Sequence, residues 1–507
     1  MKLHPRQEEH HALRSAGHET VDEMLVAAGG HGRMQSCITF GAFMAFLVHG
    51  AQVMVMAFVG PAVAAEYASE GPKLMKLTGS FFFAGWLVGL AVWGQLAARR
   101  GWIKAFACVE CGVAFTGVLT VFAGSGKQYL ASRFLCGFFE GGVPTTIFGW
   151  AGEFLLPADR PFAGVVTQLG FKVGWLLVTL GAYVSGGEHW RTLSGCVSLA
   201  ALPLAGLALV APESPRWLLR NGHVAKSKKV LAQIARVNGV SGVVIDSPVP
   251  LARATESKLK GTAWDLDGNS SDGGASAGSD EREWPIRPGR RPGGPKPALF
   301  PLLFADAALC KVVAVLCFHW FVYSALFFGL SLHEASNLKE TAIAISAQIP
   351  ALIFTAACFD RIGRRATMFG LLTGASVACA AVAGASALSL HPGKLFHEIF
   401  VTLGLVCVSG AFSGGYVLSS ELLPTDVRAT GLATCSQCSR IGGFISPLLL
   451  LLGDNHLAVP YGVWASLALA AAMATLWLPE TLGHPSLESV DDLHALLDRR
   501  AGGARSA

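Results

Sequence analysis

Apolar residues along this chain gather into runs far longer than a soluble core needs. About 20 such residues cross a bilayer, and windowed apolarity predicts about twelve membrane-spanning helices. They cover Cys37–Ala64, Thr78–Ala97, Ile103–Ala123, Leu130–Trp150, Phe162–Gly186 and Thr192–Val210 in the first half. The second half repeats the pattern over Leu309–Leu330, Glu340–Phe359, Ala366–Leu390, Leu395–Leu418, Thr430–Leu452 and Leu457–Leu478. Polar residues fall between these runs, at the two ends, and in one long central stretch. The expected fold is an all-α membrane protein of two six-helix bundles joined by a tether. Its segments are 1–36 (N-terminal segment), 37–211 (first bundle), 212–298 (linker), 299–478 (second bundle) and 479–507 (tail).

Composition sharpens this. Of 507 residues, 52% are hydrophobic and only 14% charged, against about a quarter charged in a soluble chain. A water-soluble globule is excluded, and the lipid bilayer is the implied surrounding. The formal charge of +5 needs no nucleic-acid partner, because the basic residues sit in short connectors on one side. Arg99, Arg100, Lys104, Arg160, Arg361, Arg364, Arg365 and Arg428 mark that side. The positive-inside rule then places both ends in the cytosol, in a plasma membrane or a vesicle or organelle membrane. No cleavable leader is read near Lys2 and Arg6, so the first apolar run is expected to act as a signal anchor.

The linker begins with Val230, Leu231, Ile234 and Val237 at helical spacing over 224–237, with Lys226, Lys228, Lys229 and Arg236 opposite. This predicts a basic amphipathic helix on the inner membrane face. Residues 265–297, rich in Gly, Ser, Pro and charge, are expected to be a disordered tether. Most of the twelve cysteines lie inside apolar runs, where Cys acts as a small hydrophobe. The CxxC pairs Cys108/Cys111 and Cys435/Cys438 have no partner ligands nearby in sequence, so no metal or cofactor is expected.

Each half also carries a basic, Gly-bearing tight loop between two apolar runs. In the second half it is Asp360-Arg361-Ile362-Gly363-Arg364-Arg365. A worn copy, Gly94-Gln95-Leu96-Ala97-Ala98-Arg99-Arg100-Gly101, stands in the first. Such duplication marks helical bundles that house a substrate path between their halves.

Several segments together carry a family resemblance. They are Val21-Asp22-Glu23-Met24-Leu25 followed by Gly32-Arg33-Met34-Gln35, then Phe83-Ala84-Gly85-Trp86-Leu87-Val88-Gly89 and Gly141-Gly142-Val143-Pro144. Pro212-Glu213-Ser214-Pro215-Arg216-Trp217-Leu218 closes the first half and Pro479-Glu480-Thr481-Leu482-Gly483 the second. With Glu421 to Gly431, these segments resemble the major facilitator superfamily. Within it they look like the branches of organic cation, anion and zwitterion transporters and of synaptic-vesicle-protein-related transporters. The resemblance implies alternating access to a small organic ion, and a gating set at the basic loops. By position that set is Arg99, Arg100, Arg133, Glu153 and Arg160 in the first half. In the second it is Asp360, Arg361, Arg364, Glu421 and Arg428. Glu153 is expected to pair with Arg99 or Arg100 and latch the inner gate; a solvated surface network is the plainer reading. Where the family keeps an acid and an Arg, this chain has Ala98 and Trp102, which implies a weaker inner gate.

Ionised side chains at mid-bilayer cost about 2.5–3.5 kcal/mol each on insertion scales, so each asks for a reason. Glu140, Lys172 and Arg440 stand out. Glu140 and Lys172 lie at similar depths on consecutive helices, ~16 Å and ~21 Å from one face, and can form a buried pair. In that pair Glu140 is the proton-coupling candidate and Lys172 the group it frees or occupies; mere charge cancellation is the alternative. Arg440 stands where the resembled anion and zwitterion carriers keep a base, and its planar fork suits a carboxylate. Trp320, Tyr323 and Phe327 recur at helical spacing and form a candidate cavity face. His49 and Gln52 are cavity lining or helix–helix hydrogen bonds. No catalytic constellation or ATP-binding loop is present. The expected function is a monomeric secondary transporter or facilitator of small organic ions, favouring anions or zwitterions. Cation or sugar transport, and a non-transporting sensor or docking protein, are the alternatives.

Overall fold

The computed structural model describes residues 21–70, 77–156, 159–185, 189–240, 303–304, 306–389 without 335–337, 393–452, 457–483, 487 and 489–503. The expected tether at 265–297 lies outside them. Among the described residues, the first half holds α1 (Val21–Ala27), α2 (Arg33–Glu66), α3 (Thr78–Arg100), α4 (Trp102–Val121), α5 (Gly126–Glu140) and α6 (Gly142–Phe154). It continues with α7 (Arg160–Val184), α8 (Trp190–Leu199) and α9 (Ala201–Val210). Helices α10 (Pro215–Arg220) and α11 (Val224–Val237) follow in the linker. The second half holds α12 (Ala307–Glu334), α13 (Leu338–Ile362), α14 (Arg364–Ala387), α15 (Lys394–Leu422), α16 (Thr425–Leu452) and α17 (Ala458–Thr475), before a tail helix α18 (Val490–Gly503).

Eleven described segments are long and apolar enough to cross a membrane, with α8 and α9 counted as one span. The expected fourth span is the one that falls short. It breaks at Gly141 into α5 and α6, of 15 and 13 residues, where Gly141 and Gly142 sit against Trp86, Val109 and Trp93. Pro144 follows in the first turn of α6, where its missing N–H costs nothing.

The two halves repeat one packing scheme. In the first, α2 packs on α7, α3 on α5 and α6, and α4 on α8 and α9; in the second, α12 packs on α16, α13 on α15, and α14 on α17. Small residues allow the closest approaches, as membrane helices lack a hydrophobic drive to associate. A Cβ added at Gly174 would lie 1.8 Å from the Leu47 carbonyl oxygen, and one at Gly442 would lie 2.3 Å from that of Phe321. Between the halves, α3 meets α16 and α7 meets α13. These are the two contacts that one pseudo-twofold exchange of the halves would interconvert.

The tight basic loops share one construction. Gly101 and Gly363 have φ of +106° and +101°, a region that a side chain strains. Each places the next helix N-terminus on a carboxylate from the end of its own half. Glu213 accepts from Trp102 N at 3.1 Å, and Glu480 accepts from Arg364 N at 2.9 Å and Arg365 N at 3.0 Å. This explains the paired Pro-Glu-Ser and Pro-Glu-Thr segments as caps of α4 and α14. Burial raises the Glu213 carboxyl above its ordinary range, while backbone N–H donors from Ser214 and Trp102 hold it down.

One expectation is corrected here. The helix at 224–237 forms as α11, but its apolar stripe is not laid on lipid. Leu231 and Ile234 are buried with Met24, Leu25, Ala28 and Met34 of α1 and the start of α2. Asn238 fastens the junction, accepting from Met34 N at 2.9 Å and donating to Ala28 O and Gln35 Oε1 at 3.0 Å each. The sequence pattern shows an apolar face, but not whether protein or lipid covers it.

Gly363→Ala should lower thermal stability by at least about 1 kcal/mol, because its Cβ would lie 2.6 Å from Glu480 Oε2. Gly206→Ala, which meets nothing within 4 Å, serves as the control. Scanning fluorimetry of purified protein that finds equal midpoints for the two would contradict the capping role.

Candidate functional site

A narrow cavity of about 60 Å³ lies between the halves, smaller than the ~300–1,000 Å³ of a small-molecule site. Helices α2, α3, α6 and α7 supply His49, Trp86, Pro144, Gln168, Phe171 and Lys172; α12, α13, α15 and α16 supply Phe327, Leu352, Ser409, Phe412, Tyr416 and Arg440. Aromatic faces dominate, with hydroxyls and one amide between them. Two cations line the chamber, and its lining contains no carboxylate.

Each cation is held by the half opposite its own. Arg440 of α16 stacks over the indole of Trp86 of α3, its Cζ 4.0 Å from the ring centroid. Its Nε is buried without a hydrogen-bond partner. Lys172 of α7 donates to Gln348 Oε1 of α13 at 2.7 Å and lies 4.3 Å from the centroid of the Phe327 ring on α12. Cation–π contacts of this kind are worth roughly 0.5–2 kcal/mol, more when desolvated. The expected Glu140–Lys172 pair is therefore not formed. Glu140 instead takes His49 of α2, Oε2 to Nδ1 at 2.5 Å, both side chains buried. Equal depth on neighbouring helices set their height but not their direction around each helix axis.

The other expected lining residues divide. Phe327 and His49 line the chamber. Trp320 and Tyr323 stand behind it: Trp320 Nε1 donates to Ser419 of α15 at 3.0 Å, and both rings pack on Phe412, itself a lining residue. Gln52 is a helix–helix bond, donating to Ser198 Oγ at 2.8 Å and Cys136 Sγ at 3.2 Å. Glu110 of α4 was not among the expected site residues. It is fully buried, with Oε1 unpartnered, and it interacts electrostatically with Glu140. The rule that singled out Glu140 applies equally to it, since it lies mid-way along an apolar run. Trp86, Phe412 and Tyr416 were also missed; they differ from lipid-facing aromatics only in direction.

The gating set is rearranged. Glu153 does not reach Arg99 or Arg100, whose side chains are exposed. It accepts from Ser214 Oγ and, at 3.3 Å, from Arg220, while its carbonyl takes Arg216 at 2.9 Å. Arg216 in turn reaches Asp22 at 2.5 Å. The second half has the matching unit: Glu421 accepts from Arg364 at 3.2 Å and from Thr481 Oγ1 at 2.5 Å. Asp360 is exposed, 3.8 Å from Arg364, and the Arg361 side chain is exposed. Arg428 donates to the carbonyls of Leu423 and Leu487, and Arg160 is exposed on the first turn of α7. Each of these bonds stays within its own half. Arg133 is not at the basic end: it is buried over the Phe82 ring at 5.2 Å, two turns before Glu140. Side chains do meet across the halves at the opposite end, where Ser80 Oγ donates to Phe444 O at 3.0 Å and Phe83 packs on Phe328 at 4.5 Å. Among the described residues, no group of three His, Cys, Asp or Glu is placed to hold a metal.

Comparison with known proteins fits this geometry. The sequence model described as Major Facilitator Superfamily matches residues 41–447. The chain is 27% identical to solute carrier family 22 member 15 of Xenopus tropicalis over 84% of this chain and 73% of that protein. It is 28% identical to organic cation/carnitine transporter 4 of Arabidopsis thaliana (82% and 73%) and 27% identical to organic anion transporter 3 of Oryctolagus cuniculus (83% and 72%). The inward-open xylose transporter XylE of E. coli shares its fold with a TM-score of 0.68 at 15% identity, covering 91% of this chain and 99% of that one.

The contact opposite the basic end gives a test. A Cβ at Gly79 would lie 3.5 Å from the Cβ of Pro447, within disulfide range. Gly79→Cys with Pro447→Cys should cross-link under mild oxidation and stop transport, with recovery on reduction. Full activity of the cross-linked protein would contradict a cycle in which these ends part.

Proposed function

Since the chain belongs to the Major Facilitator Superfamily, we propose that it is an organic-ion transporter that favours anions or zwitterions, carried by alternating access through the chamber between its halves. The observation that carries this is the lining: Arg440 and Lys172 face one cavity whose walls hold no carboxylate. Arg440, with its unpartnered Nε, is the anchor for a carboxylate or sulfonate. Lys172 is the second cation, and Phe171, Phe327 and Phe412 hold an apolar or aromatic body. A cation substrate would need the same ring faces, and Trp86 and Phe327 already carry the protein's own cations. The relatives include both an organic cation/carnitine transporter and an organic anion transporter, so the preference for anions is argued from the lining alone.

Rocking of the halves needs contacts that can be exchanged. Lys172–Gln348 and Arg440–Trp86 span the halves beside the chamber and are broken or remade as it opens. The units built on Glu153 and Glu421 hold the basic end of each half as a rigid body. The basic loops support a cytosolic placement of that end by the positive-inside rule. In this reading residues 37–211 and 299–478 are the two moving bundles of a monomer, in a plasma, vesicle or organelle membrane.

Uptake into reconstituted vesicles, competed by a panel of organic anions, cations and neutral solutes, tests the charge preference. Anions should compete, and Arg440→Asp should cut anion uptake at least about tenfold, as loss of a charged hydrogen bond of 1.5–3 kcal/mol implies. Competition by cations alone, or unchanged anion uptake in Arg440→Asp, would overturn the reading.

A further inference from the structure

We infer that His49 and Glu140 form a proton-binding site wired to the substrate chamber, so that an organic anion and one proton bind and cross together. This rests on the anion reading above for the direction of coupling, while the site itself rests on its own geometry.

The pair sits at the wall of the chamber. His49 lines the cavity with its ring 5.0 Å from that of Trp86, and Arg440 lies on Trp86. Behind the imidazole, Nδ1 meets Glu140 Oε2 at 2.5 Å with both groups out of contact with solvent. A buried imidazole and carboxylate this close share a proton, and Nε2 remains as the nitrogen not engaged by Glu140. With His49 neutral and donating through Nδ1, the pair carries one negative charge. Uptake of one proton at Nε2 makes it neutral overall; passing the Nδ1 proton to Glu140 gives the same total.

Coupling follows from charge in a low-dielectric space. Arg440 acts electrostatically on His49, with the Trp86 ring packed against both, and so opposes a further proton on the pair. An arriving carboxylate binds Arg440, neutralises it and lifts that opposition. Anion and proton therefore favour each other's binding, reciprocally. Other charges shape the site without removing this link. From α4, Glu110 interacts with Glu140, and from α5 itself so does Arg133. From α7, Lys172 is occupied by Gln348 and Phe327. Glu110 is not among the chamber lining residues, and its Oε1 has no hydrogen-bond partner.

The test uses the full chain in proteoliposomes, first screened by counterflow with toluenesulfonate, benzenedicarboxylates and tetraethylammonium. In wild type, an inward gradient of one pH unit should accumulate the carried anion up to about tenfold with no other driving force. In Glu140→Gln the accumulation should vanish while exchange, which needs no net proton movement, remains detectable by counterflow. Anion uptake indifferent to the gradient, or equally gradient-driven in Glu140→Gln, overturns the proposal. If only tetraethylammonium exchanges, the anion reading fails, and with it coupled anion entry. The proton site is then judged by infrared difference spectra across a pH titration. A protonated-carboxyl or imidazolium band that titrates in wild type, is lost in Glu140→Gln and persists in Glu110→Gln supports it; absence of both bands in wild type overturns it.

Discussion

A guanidinium and an ammonium in the middle of an apolar bundle must be solvated by something other than water or lipid. This constraint shapes the centre of the molecule. Arg440 is met by the indole of Trp86, and Lys172 by Gln348 and Phe327. In both cases the nearest of these groups comes from the other half of the chain, with the Trp175 ring of α7 a further 5.6 Å contact to Lys172. The charges that make the chamber chemically useful are thus also contacts that join its two walls. Ring faces and a single amide satisfy a cation only partly, and in the proposed reading a substrate anion completes the shell. A carboxylate partner inside the chamber would satisfy Arg440 fully and close that opening.

Away from the centre, the structure makes each half rigid and leaves the junction between them adjustable. Glu213 and Glu480 cap the helices after the two basic turns, and Glu153 and Glu421 collect hydroxyl and guanidinium donors from the same half. Glycines let α2 and α7, and α12 and α16, approach to backbone contact. Helices α3 with α16 and α7 with α13 are left to carry the junction. Stiff bodies joined through exchangeable central contacts are what alternating exposure of one site demands.

Much of this was legible in the sequence, because the bilayer imposes strong rules. Span number, duplication and the buried positions of Arg440 and Lys172 follow from apolar run length and from the rarity of charge within runs. Direction around a helix was not legible. Glu140 and Lys172 share a height, yet Glu140 turns to His49 and Lys172 to Gln348. Trp320, Tyr323 and Phe327 share a helical face, but Trp320 and Tyr323 lie behind the chamber and pack on Phe412 of α15. Glu110 obeys the same rule as Glu140, but it stands between Cys108 and Cys111 in a run whose apolarity masks it. The stripe of α11 looked lipid-facing because composition cannot say which apolar surface will cover it; Asn238 and α1 supply that answer only in three dimensions.

The most direct measurement of the central claim is a structure of the protein determined with 4-bromobenzoate, the bromine located by its anomalous signal. The account predicts the carboxylate within hydrogen-bond distance of the Arg440 guanidinium and the bromophenyl ring among Phe171, Phe327 and Phe412. Bromine found only at the lipid-facing surface, with the space between Arg440 and Lys172 empty at saturating ligand, would contradict it.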